Sequence, residues 1–323
     1  MTPASIVAQT AAHRSVNVLF AGRDALWPVY KPALEAAFCE VGVVADLRQA
    51  FAPDEVDYII YAPFGPLSDL SPYTRCKAVL GLWAGVESIV TNPTLTQPYT
   101  RMVDQGLTEG MVEWVVGHTL RYHLDMDLDI CRQDQAWEVH IPPLARHRTV
   151  GVLGLGNLGA ACAQALSALN FNVHGWSRSA KSLPGVGCHS GEDELRDVLT
   201  QAEILVLLLP DTPATENTLN ADTLALLPKG ARILNPGRGP LIEDNALLAA
   251  LDSGQVGHAT LDVFRVEPLP KDHPYWAHPN VTVTPHIASE TRPDTASQVI
   301  AENIRRSEAG EALLHLVDKT RGY

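Results

Sequence analysis

The segment Val150-Gly151-Val152-Leu153-Gly154-Leu155-Gly156-Asn157-Leu158-Gly159 carries glycines in the pattern Gly-x-Gly-x-x-Gly. It follows an apolar, strand-like run and precedes a helix-prone stretch, Ala160–Leu169. In a strand–turn–helix setting such glycines allow a tight turn, close backbone approach to a pyrophosphate and close helix–strand packing. A helix beginning there offers unpaired N–H groups and the positive end of its dipole to phosphate. Gly154, Gly156, Asn157, Leu158 and Gly159 are therefore the expected dinucleotide cradle.

The next strand candidate, Asn172–Trp176, ends in Ser177-Arg178-Ser179-Ala180-Lys181, and no carboxylate occurs before Glu192. An NAD site normally places Asp or Glu at this strand end to bond the ribose 2′-hydroxyl. A carboxylate would repel a 2′-phosphate, whereas Arg178 can bind one through charge-assisted hydrogen bonds. Ser177 and Arg178 thus predict NADP(H) in preference to NAD(H).

Three later segments hold groups suited to acid–base chemistry: Asn235-Pro236-Gly237-Arg238-Gly239, Asp262-Val263-Phe264-Arg265-Val266-Glu267-Pro268 and Thr284-Pro285-His286-Ile287. Each lies just past a predicted strand, at the edge where open α/β sheets bind ligands. Arginine stays cationic, and its fork matches the two oxygens of an oxo acid. An imidazole with its ordinary pKa of ~6.5 exchanges protons around neutrality, and a neighbouring carboxylate favours its charged form.

Short apolar runs alternating with helical patterns predict an α/β chain with parallel sheets. In the first third the predicted strands are Val16–Phe20, Val41–Ala45, Val56–Tyr61, Ala78–Leu82 and Arg101–Val103, with a helix over Asp69–Cys76. Apolar residues at helical spacing predict a longer helix over Met111–Leu124. Asp125–Arg148 reads as a polar excursion. A second sheet follows, with strands at Thr149–Leu153, Asn172–Trp176, Ile204–Leu209, Arg232–Asn235, Ala259–Val263 and Val281–Thr284, a complete six-stranded dinucleotide-binding domain.

The 323 residues suggest two domains. A net charge of −13 argues against a nucleic-acid partner, because phosphate neutralisation needs clustered cations. Cys39, Cys76, Cys131, Cys162 and Cys188 are odd in number and scattered, which suits neither a zinc site nor a disulfide framework but does suit a reducing compartment, the cytoplasm. No apolar run is of membrane-spanning length, and Met1 to about Ser15 reads as a loose leader.

Taken together these motifs resemble the D-isomer-specific 2-hydroxyacid dehydrogenases, in particular the branch of glyoxylate/hydroxypyruvate reductase A. Trp176-Ser177-Arg178, Thr291-Arg292-Pro293 and the terminal Arg321-Gly322-Tyr323 add to the likeness, which runs along nearly the whole chain after the leader. The resemblance implies two α/β domains, Rossmann-like and flavodoxin-like, with a cleft between them. The substrate domain would comprise residues 1–112 plus 290–323, and the cofactor domain 113–289. It implies that Arg238 orients and polarises the oxygens of a small 2-oxo acid. By the same resemblance, His286 would protonate the developing alkoxide as NADPH delivers hydride, and Glu267 would pair with His286. Glyoxylate and hydroxypyruvate would give glycolate and D-glycerate.

It further implies that the loop Trp83-Ala84-Gly85-Val86 offers amides to the substrate carboxylate. Trp83 departs from the small residue usual there, which bears on pocket size. Arg292 is open to two readings, a second carboxylate ligand or a surface residue at a helix start. Asp262 is likewise either a contact to the nicotinamide amide or a structural support. A homodimer is implied too. Two rival readings are a dinucleotide-sensing module of corepressor type and a dehydrogenase for bulkier 2-oxo acids.

Overall fold

A computed structural model describes residues 15–132 and 137–319, so most of the leader and the terminal Arg321-Gly322-Tyr323 lie outside the described residues. The chain forms two compact units, Met1–Gln105 with Thr291–Tyr323, and Gly106–Glu290. Each is an α/β unit built on a parallel sheet.

The first unit contains β1 (Val16–Ala21), β2 (Ala45–Arg48), β3 (Tyr58–Tyr61), β4 (Ala78–Gly81) and β5 (Tyr99–Thr100), in the order β2-β1-β3-β4-β5. That is the flavodoxin-like order. Residues on alternate sides of the strands feed two cores. Val18, Phe20, Ile60 and Leu80 pack with Ile300 and Ile304, while Leu19, Ile59 and Val79 pack with Leu70 and Ile89. Burial on both faces explains why β3 reads Tyr-Ile-Ile-Tyr without polar alternation. Helix Pro293–Glu308 returns to this unit and packs on helix Trp27–Glu40. The Tyr58 hydroxyl donates to Glu308 at 2.5 Å, fixing the helix's last turn to the sheet.

The second unit contains β6 (Thr149–Leu153), β7 (Asn172–Ser177), β8 (Gly187–Ser190), β9 (Ile204–Leu207), β10 (Ala231–Asn235), β11 (Val256–Leu261) and β12 (Val281–Val283). Their order is β12-β11-β10-β9-β6-β7-β8. This doubly wound arrangement reverses direction between β6 and β9, and ligands bind at such switch points. Helix Asn157–Ala168 follows β6, and helix Gln105–His123 packs its Met111, Val115 and Tyr122 against the same core as Val150 and Val152.

Several sequence expectations are corrected. β2 begins at Ala45, because helix Trp27–Glu40 runs on to Glu40 and the chain then turns through Gly42 at φ +73°. The fifth strand is Tyr99–Thr100 and not Arg101–Val103. No helix forms over Asp69–Cys76. There the Asp69 carboxylate accepts from the Ser71 amide and hydroxyl, an Asx turn, and Pro72 disfavours helix at the residue before it. The second sheet has seven strands, the missed one being Gly187–Ser190, whose Gly-Cys-His-Ser sequence carries no apolar pattern. The long helix starts at Gln105, six residues before the expected Met111. Among the described residues no helix is long and apolar enough to cross a membrane.

Candidate active site

The glycine-rich turn leaves β6 with Gly154 at φ +104°, a conformation that L side chains rarely adopt. A Cβ on Gly159 would lie 1.7 Å from the Gly154 carbonyl oxygen, so helix Asn157–Ala168 can pack this close only through glycine. Gly156 differs: a Cβ there meets nothing within 4 Å, and it would project into open space at the helix N-terminus. That space and the N-terminal amides around Asn157 and Leu158 suit a dinucleotide pyrophosphate. The Gly154 amide donates to the Trp176 carbonyl at 2.8 Å, tying this turn to the end of β7. Ser177 is buried there, its hydroxyl donating to the Ser179 carbonyl at 2.8 Å, and Arg178 is exposed beside it.

β10, β11 and β12 are neighbours, and Arg238, Glu267 and His286 follow their carboxyl ends in turn. After β10, Asn235 shapes the turn. Its side chain accepts from the Gly237 amide at 3.2 Å and donates to the Arg238 carbonyl at 2.9 Å. After β11, the Glu267 carboxylate folds back to accept from the Phe264 amide at 2.9 Å. Its other oxygen meets His286 Nδ1 at 2.7 Å, and the ring stays half-exposed. With Nδ1 engaged, Nε2 is the ring nitrogen left to exchange a proton.

His286 has φ +53°, an unfavourable left-handed conformation for a side-chain-bearing residue. Asp262, fully buried, holds it there. Its carboxylate accepts from the Thr284 hydroxyl at 2.5 Å and from the Ile287 and Ala288 amides at 2.9 Å each. Its carbonyl accepts from the His286 amide at 2.8 Å. Of the two roles open to Asp262 in the sequence, the structure displays the supporting one.

In the first unit, Trp83-Ala84-Gly85-Val86 follows β4. The amides of Ala84, Gly85 and Val86 donate to no acceptor among the described residues, an arrangement suited to an anion. Trp83 packs edge-on to Phe64 at 5.9 Å, and Phe64 is itself exposed and left-handed at φ +59°. Arg292 is exposed at the start of helix Pro293–Glu308. Sequence reasoning missed Asn235 and Thr284. An Asn directly before Pro-Gly at a strand end is a turn-building signal that could have flagged the first. Nothing short-range marks the second.

Residues 119–288 match the family model of the D-isomer specific 2-hydroxyacid dehydrogenase NAD-binding domain. A D-isomer specific 2-hydroxyacid dehydrogenase from Xanthobacter autotrophicus, solved with NADPH and MES, is 40% identical. The match covers 96% of this chain and 100% of that one, with a TM-score of 0.88. The NADPH-dependent glyoxylate/hydroxypyruvate reductase of Sinorhizobium meliloti, solved with NADP and sulfate, is 33% identical over 96% and 99% of the two chains, TM-score 0.81. A probable 2-hydroxyacid dehydrogenase from Rhizobium etli, solved with NADP, HEPES and L(+)-tartaric acid, is 31% identical over 96% and 100%, TM-score 0.83. The chain belongs to the D-isomer-specific 2-hydroxyacid dehydrogenase family.

The two glycines make separable predictions. Gly156→Ala should leave the melting temperature nearly unchanged, since its methyl meets only open space, while weakening dinucleotide binding. Gly159→Ala forces backbone apart and should lower the melting temperature as well. Calorimetric melting alongside dinucleotide titration checks this; equal effects of the two variants on stability would contradict it.

Proposed function

We propose that the enzyme reduces small 2-oxo acids with NADPH, taking glyoxylate to glycolate and hydroxypyruvate to D-glycerate. The observation that carries this reading is the 2.7 Å His286–Glu267 pair at the sheet edge that also bears Arg238. The neighbours solved with NADPH or NADP support the cofactor, and the Sinorhizobium meliloti reductase supports the substrates.

The turn Gly154–Gly159 would hold the pyrophosphate, with Ser177 and Arg178 at the 2′-phosphate. Bound there, NADPH supplies the hydride. Arg238 binds and polarises the substrate's oxygens through its planar fork. Charged His286 donates the Nε2 proton to the oxygen that becomes the hydroxyl, and Glu267 stabilises that charge and holds the ring. Asp262 acts through the His286 turn; we retain for it a contact to the nicotinamide amide. The amides of Ala84, Gly85 and Val86 take the substrate carboxylate, with Arg292 as a second cation. Trp83, packed edge-on against Phe64, is the large and stiff side chain on which we rest the preference for a small substituent beside that carboxylate.

All five cysteines are free, which suits the reducing cytoplasm. Several large apolar side chains are exposed among the described residues between the start of helix Met126–Cys131 and β6. Ile130 is 68% exposed, Val139 78% and Ile141 82%. Patches of this kind mark protein contacts, and we assign this one to a second copy of the chain. Sedimentation should therefore give twice the 35.0 kDa chain mass; a monomer at micromolar concentration would remove the assignment.

A panel of 2-oxo acids run with NADPH and NADH tests the function. Glyoxylate and hydroxypyruvate should lead, and His286→Ala should lose roughly 10²–10⁴-fold in kcat while still binding NADPH. Arg178→Ala should erase a preference for NADPH of about tenfold to a hundredfold, the worth of one charge-assisted contact of ~1.5–3 kcal/mol. Faster turnover of phenylpyruvate than of glyoxylate would favour the bulky-substrate rival. Absence of turnover with intact dinucleotide binding would favour the sensing module.

A further inference from the structure

Arg265 stands two residues before Glu267 and carries no role in the reaction described above. Its guanidinium is nonetheless engaged on every side. Nε and Nη2 donate to the Ile242 carbonyl at 3.2 and 2.7 Å, and Nη2 also reaches the Pro240 carbonyl at 3.2 Å and the side chain of Asn217. Nη1 faces Glu216 at 3.4 Å, and Nε lies 3.8 Å from Asp244. These partners are not scattered. Pro240 and Ile242 continue directly from the Arg238 turn, whose short helix is Gly239–Leu241. Asn217, left-handed at φ +52°, donates its own amide to the Pro240 carbonyl at 2.9 Å, so the acceptors Arg265 uses are themselves fixed.

The backbones meet at the same place. A Cβ on Gly239 would lie 2.0 Å from the Phe264 carbonyl carbon and 2.4 Å from the Arg265 amide. The Phe264 amide in turn anchors the Glu267 carboxylate that holds His286. A continuous chain of contacts therefore runs from the Arg238 turn, through Arg265 and Phe264, to the Glu267–His286 pair. Lysine cannot reproduce it, because a point charge with three donors cannot span the carbonyls that a planar five-donor fork reaches.

We propose that Arg265 is a positioning residue that sets the spacing between Arg238 and the Glu267–His286 pair, and so the geometry in which a 2-oxo acid is gripped and protonated. The proposal rests on the reductase reading and adds to it a residue that touches neither substrate nor cofactor. A misplacement of about 1 Å between reacting groups costs on the order of 10²-fold in rate, so loosening this clamp should be visible in turnover.

The test compares wild type, Arg265→Met and Arg265→Lys in four measurements: kcat and KM for glyoxylate across pH, the Kd of NADPH, the affinity of the NADPH complex for oxamate (a non-reducible 2-oxo acid mimic), and the melting temperature. Arg265→Met should lower kcat by about tenfold to a hundredfold, displace the pH profile and weaken oxamate about tenfold, with the NADPH Kd within about twofold. Arg265→Lys should fall between. Wild-type kcat, pH profile and oxamate affinity in Arg265→Met would overturn the proposal. So would parallel losses in NADPH affinity and melting temperature, which would mark a merely structural residue. If wild type binds oxamate but reduces no 2-oxo acid, the reductase reading fails, and the oxamate comparison still decides the role of Arg265. A wild type that neither reduces nor binds overturns both.

Discussion

A single buried carboxylate, Asp262, sets the conditions for everything else at the catalytic edge. His286 occupies a backbone conformation that L-residues avoid by roughly 1–2 kcal/mol, and it does so because the turn around it is over-determined. Two amides and a hydroxyl converge on the Asp262 side chain, and the histidine's own amide is taken by the Asp262 carbonyl. Hydrogen bonds to a charged acceptor each contribute about 1.5–3 kcal/mol, enough in sum to outweigh the strain. The cost of leaving such a carboxylate buried without partners also makes the arrangement all-or-none. Asp262 directly follows β11, so the register of that strand between β10 and β12 becomes the register of His286, the proposed acid–base residue.

Strand order then does for distance what Asp262 does for orientation. Arg238, Glu267 and His286 are far apart in sequence, yet they follow three adjacent parallel strands whose ends share one edge. The turns between strand and functional residue are locked locally: by Asn235 in the first, by the Phe264 amide in the second, by Asp262 in the third. Rigid strands with side-chain-locked turns are the kind of support a reaction needs when its groups must be held to a fraction of an ångström.

Much of this was legible in the sequence, and the residues show why. The glycines at 154 and 159 are readable because backbone sterics admit only one residue type there, with a Cβ on Gly159 only 1.7 Å from the Gly154 carbonyl oxygen. Gly156, by contrast, is spared a side chain to keep the space beside the helix N-terminus open. Strands buried on both faces, such as β3 and β9, announce themselves as unbroken apolar runs. β8 does not, because an edge strand of Gly-Cys-His-Ser needs no apolar face. The helix expected over Asp69–Cys76 does not form because an Asx turn at Asp69 and Pro72 fix a different backbone there. Asp262 was visible as a candidate with two possible tasks, but what it supports was not, since the partners Thr284, Ile287 and Ala288 come from another strand end. Arg265 was invisible for the same reason: its acceptors lie more than twenty residues upstream.

The central claim is that His286, paired with Glu267, exchanges the proton that accompanies hydride transfer. Its most direct test is the pH dependence of kcat/KM measured in both directions, 2-oxo acid reduction and 2-hydroxy acid oxidation, on the same enzyme. Reduction requires the ring charged and oxidation requires it neutral, so the first rate should fall and the second should rise with increasing pH. Rates that move in the same direction with pH, or that stay flat in both, would contradict the account.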